Sequence, residues 1–106
     1  MAKIAFSGFA WDGANRPKCQ KHGVSISEIE YVLAHAESLM IPDLKNSQGE
    51  PRYIAIGQTQ KGHWTFVVFT PRRSGGDMLL RPLSARYMHA REIRKYEQEI
   101  ARAQKR

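Results

Sequence analysis

Five cations stand in short, well-separated clusters along the chain: Lys21-His22, Arg52, and the pair Arg81 and Arg86. Groups of this kind can hold a phosphodiester and act on it. Cleaving RNA without a metal requires a base for the 2′-hydroxyl proton, a cation for the crowded phosphate, and an acid for the leaving 5′-oxygen. Positioned acid–base groups contribute roughly 10²–10⁴-fold, and fixed cations in a dry site contribute a comparable or larger factor. Arginine suits the phosphate because its planar fork is always charged. Lysine and histidine can be tuned by burial and neighbours.

Each cluster also has a plainer reading. Lys21-His22 closes a short helix, where the helix dipole favours cations that do no chemistry. Arg52 precedes a strong strand, where a charged residue is often a solvated edge; Glu50, two residues earlier, can pair with it or with another cation. Arg81 alternates with Leu80 and Pro82, so it faces away from both. Arg86 falls where the strand pattern gives way to a helical one, and a phosphate can be held there by a cation and backbone amides together. Trp11-Asp12 reads as a packing residue followed by a turn cap.

The remaining histidines are weaker candidates. His35 and His63 read as surface residues, and His89 as part of an apolar helix stripe. The four histidines show no metal-ligand spacing such as H-E-x-x-H. There is no Walker loop, no G-x-G-x-x-G and no G-x-S-x-G, so neither a metal nor a cofactor is expected. The single Cys19 excludes an internal disulfide, fits a reducing cytoplasm, and reads as a packing residue.

These side chains must be positioned by a small set of elements. Ile4 to Phe9 reads as a short strand, with Gly8 marking a bulge or a close approach. A short helix ends at Gly23; Pro17 belongs in its first turn, which favours Asn15 over Asp12 as N-cap. Ser25-Ile26-Ser27-Glu28 is a capping box, stapled by Val24 and Ile29. The helix it opens carries Ile29, Val32, Leu33 and Ala36 on one face. Leu39 to Ile41 reads as a brief strand, followed by a polar loop from Pro42 to Pro51. Tyr53–Thr59 and Trp64–Thr70 form a hairpin through Gln60-Lys61-Gly62-His63. Pro71 to Asp77 reads as a turn, and Met78 to Ala85 as the next strand, with Pro82 at an edge or a bulge. From Arg86 a final helix follows, with His89, Ile93, Tyr96, Ile100 and Ala103 on one face. The fold class is therefore α+β, an antiparallel sheet with helices on one face and an open face opposite.

The bulk numbers agree. The chain has 106 residues, 42% hydrophobic and 25% charged, which suits one domain spanning 1–106 with one core. Seventeen Lys and Arg against ten Asp and Glu give a net charge of +7. A small basic domain attracts polyanions, of which nucleic acids are the commonest. No apolar stretch approaches a membrane span, and no signal peptide is evident.

Taken in order, the anchors resemble the BrnT family of toxins. They are Phe9, Trp11 and Asp12; Asn15 and Lys21 to Ser25; Glu28; Gly49, Glu50, Arg52, Tyr53 and Gly57; Val67 to Thr70; Arg81, Leu83, Ser84, Ala85 and Arg86; and Glu92 with Tyr96. The chain departs from the family pattern at Pro17, at Pro82 and over Tyr87 to Ala90. The resemblance implies a RelE-like fold, one twisted antiparallel sheet of about four strands with two N-terminal helices and a C-terminal helix. It implies a ribonuclease that halts translation in the cytoplasm. It also implies a BrnA-like ribbon-helix-helix antitoxin as partner, with DNA bound only through that antitoxin. The site residues it implies are Lys21, His22, Arg52, Arg81 and Arg86, supported by Trp11, Asp12, Glu50 and Ser84.

Overall fold

A computed structural model describes residues 4–35, 39–43, 45 and 49–104. Its elements are β1 (Gly8–Phe9), α1 (Asn15–Gln20), α2 (Ile26–Ala34), β2 (Leu39–Pro42), β3 (Tyr53–Gln58), β4 (Trp64–Ser74), β5 (Asp77–Tyr87) and α3 (Ala90–Gln104). They form an α+β fold around one five-stranded sheet, ordered β1-β5-β4-β3-β2. The sheet is mixed and not purely antiparallel. β1 lies parallel to β5, with Gly8 opposite Leu79 and Phe9 opposite Leu80. No local signal fixes the direction of a strand whose partner lies 71 residues away, as in the bond from the Ser7 amide to the Met78 carbonyl. Gly8 sits where a Cβ would come within 3.3 Å of the Leu79 side chain.

One sheet face is the main core. Val24, Ile29, Val32 and Leu33 from the α2 region and Cys19 from α1 pack on Ala55, Val67, Phe69, Leu80 and Ala85. Full burial of such an aliphatic or aromatic side chain contributes about 1.5–3 kcal/mol. The start of α2 follows the sequence closely. Ser25 Oγ accepts the Glu28 amide at 3.1 Å, and Glu28 Oε1 accepts the Ser25 amide at 2.9 Å. Val24 and Ile29, the staple pair, are both fully buried. Ala36 lies outside the described residues.

Asn15 is not the cap of α1. The Asp12 carboxylate takes that place, accepting the Ala14 and Asn15 amides at 2.8 and 3.0 Å. Asn15 is instead a buried strap. Its Nδ2 donates to the carbonyls of Ala10 and Pro82, both at 2.9 Å, and its Oδ1 accepts the Asp12 amide at 2.7 Å. It ties α1 to β5 just past the end of β1. Gly23 ends the segment with φ of 90°, the left-handed stop its sequence position requires.

Two boundaries differ from the sequence reading. Pro71 to Asp77 is not a loop; β4 runs on to Ser74, and only Gly75-Gly76 turns. Gly75 supplies φ of 62°, a left-handed turn conformation suited to a two-residue hairpin. The second boundary concerns Arg86, which lies within β5, opposite Phe66, while α3 begins four residues later. The ladder to β4 carries Arg86 and Tyr87 in extended form despite the helical pattern that follows.

Pro82 does mark a bulge. Ser84 lies opposite Val68, but Pro82 lies opposite Phe69, so Leu83 has no partner on β4. Arg81 and Arg86 consequently lie opposite Thr70 and Phe66, two residues of the same β4 face. That outer face also carries Ile54, Ile56, Trp64 and Phe66, joined by Met88, Ile93 and Tyr96 where α3 crosses one end. Trp64 and Tyr96 meet edge-on, 5.0 Å between centroids. His89, expected on the apolar stripe, is exposed and precedes the helix.

Candidate functional site

On the outer face, beside α3, lies a hollow of about 280 Å³. Ile54, Phe66, Val68, Ser84 and Arg86 line it from the sheet, and His22 also lines it. His22 arrives from the turn after α1, and the Asn15 strap fixes that helix against β5. Arg86 comes from the strand itself. Its guanidinium carbon sits 4.6 Å from the centroid of the Phe66 ring, a cation–π contact.

Glu92 grips the same guanidinium through both carboxylate oxygens, at 2.9 and 2.8 Å. The Arg86 hydrogen bond, then the His89 amide, hold the Glu92 carboxyl at about 2 instead of its ordinary 4.5. The Arg86 pKa rises in turn through its bond to Glu92. The result is a permanently charged fork, held by a carboxylate against an aromatic ring, with a histidine lining the same hollow. Such a set can hold a phosphate and move a proton beside it.

The other candidates lie elsewhere. Lys21 is exposed next to His22 but does not line the hollow. Arg81 shares the outer face, four β4 residues from Arg86's partner, about 13 Å along the strand. Its guanidinium donates to Asp12 at 2.6 and 3.4 Å, and its side chain is only 14% exposed. Arg81, then the Asn15 and Ala14 amides, hold the Asp12 carboxyl at about 2. Arg81 and Asp12 thus lock the β1–α1 turn onto β5. Arg52 immediately precedes β3, half-buried, and strand alternation sets it on the face of Ile54; its carbonyl accepts the Asp43 amide at 2.8 Å. Glu50 pairs with Arg72 and not Arg52, at 2.9 Å between exposed side chains, a contact that contributes under about 1 kcal/mol. Trp11 packs on the core and donates its indole N–H to Glu30 at 2.9 Å.

Sequence reasoning missed Phe66 and Glu92 as partners of Arg86. Phe66 falls within the predicted strand Trp64–Thr70, with nothing nearby in sequence to single it out. Glu92 stands three residues after His89, the spacing of a carboxylate that caps a helix start. That spacing is the available signal, but the change of period at Arg86 points to an earlier helix start. A second hollow, about 330 Å³, lies where α2 starts beside the β3–β4 turn, with Glu28, Tyr31, His63 and Tyr87 on its wall. There the Tyr87 hydroxyl donates to Glu28 at 2.8 Å, and burial first, then Glu28, raises its pKa.

Fold and site together define a small basic α+β protein with an arginine–histidine hollow on an open sheet face. More particularly, the chain belongs to the BrnT family, whose description, "Ribonuclease toxin, BrnT, of type II toxin-antitoxin system", matches residues 11–92. The family indicates a ribonuclease toxin and implies an antitoxin among the chain's partners. No curated protein matches the chain. Among the described residues, no helix is long and apolar enough to cross a membrane.

Proposed function

We propose that this protein is a metal-independent endoribonuclease that acts in the cytoplasm and arrests translation by cutting RNA. The observation that carries the reading is that His22 and Arg86 line one hollow together with the apolar Ile54, Phe66 and Val68. Arg86 holds the scissile phosphate. His22 transfers a proton at the 2′-hydroxyl or at the leaving oxygen. Phe66, Val68 and Ile54 give the ribose and base a dry seat. Lys21, next to His22, adds positive potential near the hollow, as does the chain's net charge of +7. The helices α1 and α2 on one sheet face support a RelE-like reading of the fold. A BrnA-like ribbon-helix-helix antitoxin is the proposed partner and the proposed link to DNA.

The test is incubation of purified protein with RNA in EDTA. Wild type is expected to leave 2′,3′-cyclic phosphate and 5′-hydroxyl ends, as attack by the 2′-oxygen requires. His22→Ala and Arg86→Ala are expected to lose about 10²-fold or more in rate while keeping native circular dichroism, and to relieve growth arrest in expressing cells. A salt-sensitive gel shift with no cleavage would instead support a nucleic-acid-binding module without catalysis.

A further inference from the structure

Arg86 shares out its donors in an informative way. The end-on pair, Nη1 and Nη2, donates to the two oxygens of Glu92. Nη1 also donates to the Tyr87 carbonyl at 3.3 Å. A guanidinium has five N–H donors. The two left over, Nε–H and the second proton of Nη2, form its side edge, and no described residue accepts from them. Two parallel N–H groups are what a phosphate takes bidentately.

Glu92 grips from a definite side. It is absent from the wall of the His22 hollow and lines the neighbouring groove under α3, with Ile56, Met88 and Tyr96. Arg86 borders the hollow itself. The carboxylate is fixed in its own right, because it is the third residue of α3 and accepts the His89 amide at 2.9 Å. A negative charge in a helix's first turn is also favoured by the dipole. The helix start thus anchors the carboxylate, the carboxylate anchors the guanidinium, and the Phe66 ring packs against the fork.

We propose, resting on the ribonuclease reading above, that Glu92 is a positioning residue. It holds Arg86 end-on so that the side edge meets the scissile phosphate. A carboxylate that merely occupied the phosphate's place would act oppositely, and its removal would speed the reaction.

The test compares wild type with Glu92→Gln and Glu92→Ala in steady-state cleavage of a short RNA, and in affinity for a 2′-O-methyl analogue that cannot be cut. Loss of orientation lowers kcat by roughly 10- to 100-fold, with the Gln variant between wild type and Ala. KM and analogue affinity stay unchanged or tighten, because the site gains net positive charge. In an Arg86→Ala background the Glu92 substitutions add no further loss. A kcat that is equal or raised in Glu92→Gln overturns the proposal, as does a loss that persists without Arg86. Wild-type protein that cuts no RNA removes the ribonuclease reading and this inference with it; normal cutting by both wild type and Glu92→Gln removes this inference alone. Nitrogen-15 spectra of wild type give a readout independent of any variant's folding. A held guanidinium shows slow rotation and resolved Nη protons, and a freely rotating one overturns the proposal.

Discussion

Replacing Asn15 by alanine probes the strap that holds the His22-bearing helix to the sheet. Asn15 is 2% exposed and makes three hydrogen bonds, two given to carbonyls and one accepted from an amide. Truncation leaves all three backbone groups without this partner. An unpaired buried polar group costs about 1–3 kcal/mol. The Pro82 carbonyl is bonded in a buried setting and carries that cost in full, while the Ala10 carbonyl and Asp12 amide are part-buried and within reach of water. These two fall at the low end, about 1 kcal/mol each. The expected loss, roughly 3–5 kcal/mol, is a large share of the 5–15 kcal/mol typical of a folded domain. At about 4–8 °C per kcal/mol, the melting midpoint should fall by at least about 12 °C. Thermal and urea unfolding followed by circular dichroism measure this directly. Asn15→Asp sharpens the test, since it keeps an acceptor but turns one carboxylate oxygen toward two carbonyls; it is expected to cost at least as much. If both variants unfold within about 1 kcal/mol of wild type, the strap contributes nothing net and the reasoning fails.

Two further outcomes are expected. The Asp12 and Glu92 pKa values are lowered to about 2 in the folded protein, below their ordinary 3.8 and 4.5, so their pairs stabilise fully above about pH 5 and progressively less as the pH falls toward 2. The urea midpoint should drop across that window, less steeply in high salt and in the combined Asp12→Asn, Glu92→Gln variant; an identical slope in that variant would show that the pairs do not set it. Gly23→Ala should cost roughly 1–2 kcal/mol, because φ is 90° there although the space is open. Gly13→Ala, also in open space and without a positive φ, should be neutral or stabilising by up to about 1 kcal/mol, and equal unfolding midpoints for the two variants would remove the backbone argument.

Local chemistry was legible wherever a rule acts over a few residues. The Ser25–Glu28 box, the Val24–Ile29 staple, the Gly23 stop, the β3–β4 hairpin and the Pro82 bulge all follow from neighbours in sequence. What escaped was set by distant partners. β1 takes its direction from β5, and the β4–β5 hairpin runs through Pro71 to Ser74 because the two strands sustain each other beyond the polar signal of Arg72-Arg73. The site divides in the same way. Residue types pointed to His22 and Arg86, which share a hollow. The same logic grouped them with Arg81 and Glu50, whose charges the tertiary structure commits to Asp12 and Arg72. Phe66 and Glu92 could not be assigned to Arg86 until strand register and helix start were known.

The unpartnered Leu83 has a consequence for how this chain can vary. It acts as a phase shifter: two arginines an odd number of positions apart point the same way only because one residue is skipped between them. Deleting any single residue from 82 to 84 would leave the arginines four positions apart, so plain alternation without a bulge would keep both on the outer face. Straightening the bulge at unchanged length would instead drive Arg81 toward the core and Leu80 toward water. The segment can therefore lose one residue without disturbing the register, but an added residue must widen the bulge or turn the distal arm over.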